Sequence, residues 1–224
     1  MLAPAGALKP AIIIDRIMRY RLLAGYEMEM FAYGTPGVLC ETCEQYQIPV
    51  TMLSSSKILP DLEAEEDLFG ACNVLVSIGW SWRVPPEVIR HFDAALNCHG
   101  SILPDYKGVS AYMHAYANCE EYYGASVHYM TEAFDEGRVL IQGGLRATGH
   151  EDPAEMHMRT AELCAYLLPE ALRRAEQGDE GYRPEGRDRY FLRQSPEEFE
   201  HYRQMNLERI RQGLEPVLTP HKTP

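Results

Sequence analysis

The sequence predicts an α/β fold built on a mostly parallel sheet, and three observations carry that prediction. Short β-rich runs alternate with helical patterns, the rhythm of strand–helix units. The run Asn73-Val74-Leu75-Val76-Ser77-Ile78 is apolar and stops at Gly79, which reads as a central buried strand. The 224 residues are 46% hydrophobic, enough to bury one sizeable core.

In chain order, residues 10–14 (Pro10-Ala11-Ile12-Ile13-Ile14) read as a buried strand. Its place in the sheet has two parses. Either Ile12–Ile14 is the first strand and residues 27–33 the second, or Ile12–Ile14 is the second and the usual first unit is absent. Neither supplies a Gly-rich phosphate loop. Residues 36–46 read as a helix, with Thr35 as N-cap and Pro36 at its first position. Residues 48–53 form a short strand, 59–69 an acidic amphipathic helix, and 86–91 a helix leading to a strand that carries Asn97 and His99. A helix covers 110–117, and strands at 125–130 and 139–142 flank a loop around Asp135. Residues 153–177 form a long helix begun by Asp152 and stopped by Gly178. The expected division is a catalytic domain at 1–178 and an extension at 179–224. That extension comprises a polar linker, a short strand at Tyr190-Phe191-Leu192, and a helix capped by Ser195 with Pro196 at its first position.

The net charge of −12 argues against nonspecific binding to nucleic acid, whose phosphates call for Lys and Arg. No apolar run approaches the roughly 20 residues that span a bilayer, and residues 1–10 lack the pattern of a signal peptide. The six scattered cysteines read as reduced thiols, which places the chain in the cytoplasm. Cys40 and Cys43 are two residues of one helix rather than a redox or metal pair, and no metal site is expected.

The chemistry concentrates in Asn97-Cys98-His99 and Asp135-Glu136-Gly137. On a strand, Asn97 and His99 leave one face while Cys98 leaves the other. An amide donor and an imidazole then look into the same space. Moving an acyl group to an amine needs an acceptor for the amine proton, which a neutral imidazole provides near pH 7. It also needs a donor for the developing oxyanion, which an amide NH₂ provides. A carboxylate such as Asp135 can orient the imidazole and stabilise its cation. Gly137 is expected to let the loop backbone approach a ligand.

With Leu103, Pro104 and Gly108 after the Asn-x-His pair, and Asp135-x-Gly137 beyond it, the chain resembles the folate-dependent formyltransferases. Ser126-Val127-His128 and Val139-Leu140-Ile141-Gln142 also look like that family, over about residues 74–168. The resemblance implies a Rossmann-like fold and Asn97, His99 and Asp135 as the catalytic trio. It implies N10-formyltetrahydrofolate as formyl donor, its pterin held by Trp82, Arg83 and Val84 and by Glu132, Ala133 and Phe134. A small-molecule amine is the implied partner, with homodimerisation left open. The missing Gly-rich loop points away from glycinamide ribonucleotide, and the acidic charge points away from tRNA. The segment 189–199 looks like the tail of short sugar formyltransferases, which points to an amino sugar on a nucleotide. The cluster of Arg187, Arg189 and Arg193 reads either as contacts for its base and diphosphate or as a solvated basic patch.

Overall fold

The computed structural model describes residues 1–64, 67–149 and 152–222. It opens with strand β1 (Leu2–Pro4) and helix α1 (Leu8–Tyr20), followed by β2 (Met30–Tyr33), α2 (Val38–Gln45), β3 (Val50–Met52) and α3 (Leu59–Ala64). Next come β4 (Val74–Ile78), α4 (Pro86–His91), β5 (Ala94–His99), the short β6 (Lys107–Gly108), α5 (Ala111–Ala117), β7 (Tyr122–Tyr129) and β8 (Val139–Arg146). The chain ends with α6 (Pro153–Glu176), β9 (Tyr190–Phe191), α7 (Pro196–Arg211) and β10 (His221–Lys222).

The main sheet runs β3-β2-β1-β4-β5-β7-β8, parallel through β5 and antiparallel from β7 onward. One face is covered by α1, α2 and α6, through Ile13, Ile14, Ile17, Leu39, Ala161 and Leu168. The other holds Phe31, Ile58, Phe69, Leu75, Val88 and Phe92. This is the expected α/β architecture, a sheet buried on both faces.

The beginning of the chain corrects both parses. Residues 10–14 lie inside helix α1, and the first strand is Leu2–Pro4. The buried positions Pro10, Ala11, Ile13, Ile14 and Ile17 follow a helical stripe, so one-sided burial overrides the β preference of three isoleucines. Pro10 is tolerated because it lies in the first turn, where its missing N–H loses no helical bond. The usual first unit is therefore present. Its connecting loop is Ala5-Gly6-Ala7, with a single glycine.

Helix α2 also begins later than expected, at Val38, with Gly37 rather than Thr35 at its N-cap. A Cβ on Gly37 would lie 3.1 Å from the Gly6 Cα, so this turn packs directly on the β1–α1 loop. Pro36 and Gly37 lead into the helix as irregular chain rather than starting it. Helix α3 ends at Ala64, short of Phe69; Glu65 and Glu66 lie outside the described residues. Leu68 and Phe69 are nonetheless buried. Asp152 caps α6 by accepting from the Glu155 N–H, and Ser195 forms a full capping box with Glu198 at the start of α7.

Among the described residues, no helix is long and apolar enough to cross a membrane. All six cysteines are free. Cys40 and Cys43 do lie on α2, and burial pushes the Cys43 thiol up to about 11, away from reactivity.

Candidate active site

The parallel strands β4 and β5 end at Ile78 and His99, and the cavity lies just beyond their carboxyl ends, the usual site for a ligand in an open α/β sheet. It has a volume of about 310 Å³. Its lining includes Asn97, His99 and Asp135 and all six side chains expected to hold the donor: Trp82, Arg83, Val84, Glu132, Ala133 and Phe134. Two loops distant in sequence are thus brought to one wall. Trp82 is 41% exposed and makes edge contacts with Trp80 and Tyr33 at 5.4 and 5.6 Å between ring centroids. The Arg83 guanidinium lies 5.8 Å from the centroid of Phe134, joining the two loops across the cavity mouth.

His99 is buried, as are Asp135 and His128 beside it. His99 Nε2 lies 2.9 Å from the Tyr106 carbonyl oxygen. A carbonyl only accepts, so Nε2 carries the proton and the neutral ring leaves Nδ1 with its lone pair. Asp135 Oδ1 is 3.4 Å from that Nδ1. Burial holds the His99 imidazolium below its ordinary value, opposed by the Asp135 charge and the Tyr106 carbonyl. The ring is therefore neutral at pH 7. Burial alone would raise the Asp135 carboxyl, but the positive charge that His99 and His128 carry when protonated, together with the Gly108 N–H, holds it below the usual carboxylate range. The Gly108 bond to Asp135 Oδ2 is 2.8 Å.

Asn97 lies on the same face of β5, while Cys98 is buried in the core on the other face. Its amide nitrogen is 3.1 Å from His128 Nε2 and donates to Asp135 Oδ1 at 3.4 Å. His128 Nδ1 is 2.8 Å from the Tyr129 carbonyl oxygen, which fixes the proton there and leaves Nε2 as acceptor. His128 is therefore a fourth member of the cluster. Sequence reasoning placed it only in a family-like strand. The available signal was its register: β7 pairs His128 directly opposite Asn97.

Local contacts explain the motif. Ser126 donates to the Ser101 carbonyl at 2.6 Å and accepts from the Leu103 N–H, while Gln142 donates to the Leu103 carbonyl at 2.8 Å. Strands β7 and β8 thereby pin the loop after His99. Asp135 itself takes a left-handed conformation, φ 56°, which a short polar side chain tolerates.

Gly137 has a different role from the expected one. A Cβ there would fall 1.6 Å from the Tyr129 carbonyl oxygen, so the close approach is to β7 rather than to a ligand. Gly137→Ala should displace the Asp135 loop, destabilise the protein by at least about 2 kcal/mol, and lower its thermal midpoint by about 4–8 °C. A melting curve unchanged from the wild type would refute this.

The structure divides the basic cluster. Arg187 is held by Asp105 at 2.9 Å and Glu120 at 2.7 Å, so its charge is spent internally. Of the three arginines only Arg193 lines the cavity, together with Tyr190. Lys9 reaches the cavity from α1 and donates to the Cys98 carbonyl at 2.7 Å. Among the described residues no cluster of His, Cys, Asp and Glu is arranged to hold a metal ion.

The formyl transferase family profile matches residues 37–172, which contain Asn97, His99, His128 and Asp135. The chain belongs to the formyl transferase family. It is 31% identical over 132 residues to the methionyl-tRNA formyltransferase of Synechococcus sp. (strain JA-2-3B'a(2-13)), covering 58% of this chain and 39% of that protein. It is 32% identical over 111 residues to the phosphoribosylglycinamide formyltransferase of Escherichia coli (strain K12), covering 48% of this chain and 52% of that one. The chain thus spans about half or less of these relatives' lengths. By fold it is similar to the phosphoribosylglycinamide formyltransferase from Bacillus halodurans, with a TM-score of 0.65, 18% identity, and 77% and 92% of the two chains covered. A sugar N-formyltransferase from Shewanella sp. FDAARGOS_354 has a TM-score of 0.62 at 14% identity, covering 84% of this chain and 75% of that chain.

Proposed function

We propose that this formyl transferase family member moves a formyl group from N10-formyltetrahydrofolate to a primary amine. The observation that carries the reading is the cluster of Asn97, His99, His128 and Asp135 facing one cavity. The donor fits the wall formed by the loops after β4 and β7. A flat heterocycle needs apolar surface and backbone groups from irregular chain, and Trp80, Val84, Met130 and Phe134 stand among the loops after β4 and β7. When bound, the donor supplies the formyl carbon that the amine attacks.

His99 Nδ1 accepts the proton released as the amine nitrogen bonds to the formyl carbon. Asp135, 3.4 Å away, then stabilises the imidazolium. Asn97 donates an N–H to the formyl oxygen as that oxygen gains charge. At rest, both of its N–H groups face His128 and Asp135. The long 3.4 Å contact to Asp135 is the weaker one, and it is released when Asp135 turns to the charged His99. The imidazolium finally returns its proton to the leaving nitrogen of the donor.

For the acceptor we favour an amino sugar carried on a nucleotide, because Tyr190 and Arg193, beyond the matched family region, line the cavity. An aromatic ring and a cation suit a sugar with an attached phosphate. A second acceptor is favoured by a different observation. The chain has the β1–α1 unit after all, α1 starts without any side-chain cap, and Lys9 in its first turn faces the cavity. Helix amides and an ammonium suit a phosphomonoester such as that of glycinamide ribonucleotide.

The experiment supplies one formyl donor with both acceptors side by side. Formylation of the amino-sugar nucleotide with little turnover of glycinamide ribonucleotide is the expected result. The reverse outcome would overturn the sugar assignment, and release of formate alone would overturn amine transfer. Crystals soaked with a folate analogue should show its heterocycle between Trp82 and Phe134; density for it elsewhere would refute the donor assignment.

A further inference from the structure

Lys107 is the most buried ammonium bordering the site, and the proposed chemistry makes no use of it. Its side chain is 5% exposed and holds two carboxylates, Glu136 Oε1 at 2.7 Å and Asp188. Glu136 directly follows Asp135, and Asp188 belongs to the segment leading into β9. The backbone repeats the connection. The Lys107 N–H donates to the Arg189 carbonyl at 3.0 Å, and β6 pairs in parallel with β9, Lys107 opposite Tyr190 and Gly108 opposite Phe191. Gly108 in turn gives its N–H to Asp135 Oδ2. A Cβ on Gly108 would lie 2.8 Å from the Phe191 carbonyl oxygen, so the C-terminal strand sits tightly on the loop that holds the catalytic carboxylate. Arg187 clamps the other end of this loop through Asp105 and Glu120.

We propose that Lys107 is a positioning residue, tying the Asp135 loop to the β9 strap so that the Asp135 carboxylate stays against His99 Nδ1 and the Gly108 N–H. The inference rests on the role proposed for Asp135 in formyl transfer. A purely structural ion pair would stabilise the fold and leave the His99–Asp135 distance unaffected. A positioning pair changes that distance, and a displacement of about 1 Å at a reacting group can cost about 10²-fold in rate.

Glu136 and Asp188 are half exposed and can turn to water when the ammonium is gone, so Lys107→Met is expected to fold. The decisive readout is independent of turnover: the titration of His99 by NMR, its signal assigned by its loss in His99→Asn. The charged and titratable groups facing His99 are Asp135, His128 and Lys9. If Asp135 drifts away, the imidazolium loses its anion and the His99 midpoint falls. Simple removal of a nearby cation would instead raise it. The two explanations therefore predict opposite signs.

The expected result is a lowered His99 midpoint in Lys107→Met. Lys107→Arg should return it close to wild type. In the formylation assay, kcat should fall by about 10- to 100-fold with KM for the donor little changed. An unchanged or raised His99 midpoint would overturn the positioning role. Should Lys107→Met not fold, Lys107→Gln carries the same test, because it removes the same cation while its amide can still donate to one of the two carboxylates. A wild-type enzyme that formylates no amine while the midpoint still falls would count against the proposed reaction and leave the positioning role standing.

Discussion

Replacing His99 with Asn should lower kcat by about 10²–10⁴ while leaving affinity for the formyl donor nearly intact. The reason lies in the two bonds to the ring. The Tyr106 carbonyl fixes the proton on Nε2, so the lone pair at Nδ1 is the only basic site the ring can offer in the cavity. An Asn amide overlays the Nδ1 side of the ring and stops short of the Tyr106 carbonyl, and it cannot accept a proton near neutral pH. The Tyr106 carbonyl keeps the Ser101 hydroxyl as a donor at 3.2 Å, so the fold should persist, which a melting curve close to wild type will verify. The donor wall at Trp82, Val84 and Phe134 belongs to other loops, so donor binding by fluorescence titration should change little. Turnover within a few-fold of wild type would remove His99 from the chemistry.

The legibility of each feature in the sequence depends on how local its signal is. The trio Asn97, His99 and Asp135 was readable because two members share one strand face and the third is marked by its Asp-x-Gly turn. A period of two along β5 places Asn97 and His99 in the cavity and Cys98 in the core without any tertiary information. The beginning of the chain was not readable in the same way. Three consecutive isoleucines satisfy a buried strand and one face of a helix equally well. Only the packing of Ile13, Ile14 and Ile17 on the sheet decides between them.

His128 was obscured for a related reason. Its part in the cluster depends on cross-strand register, 31 residues from Asn97, which a sequence pattern does not encode. The arginine cluster stayed open for a different reason. Arg187, Arg189 and Arg193 lie close together along the chain, but charge alone could not reveal that Asp105 and Glu120 had already claimed Arg187. Gly137 was correctly marked as a point of close approach, and the object approached was wrong. Sequence shows that a side chain is excluded, while only the fold shows that the Tyr129 carbonyl excludes it.

Asp135→Asn should separate charge from shape at the centre of the site. The Asn oxygen can still accept from the Gly108 N–H, as Asp135 Oδ2 does at 2.8 Å, so the loop keeps its anchor. What disappears is the anion 3.4 Å from His99 Nδ1, which favours the imidazolium formed when the amine gives up its proton. We expect kcat to fall by about 10²–10³, the range for losing a group that stabilises charge only as the reaction proceeds. The pH dependence gives the sign. Burial already holds the His99 imidazolium below its ordinary value, and Asp135 opposes that shift. In the wild type, kcat/KM should therefore be on its plateau at pH 7 and decline only below the ordinary histidine range. Without the Asp135 charge, protonation of His99 becomes harder still, and the acidic limb of kcat/KM must move to lower pH. The variant is thus slower at every pH yet less sensitive to acid. An acidic limb that stays in place or moves upward would show that Asp135 does not act through the charge on His99, even if the rate is low.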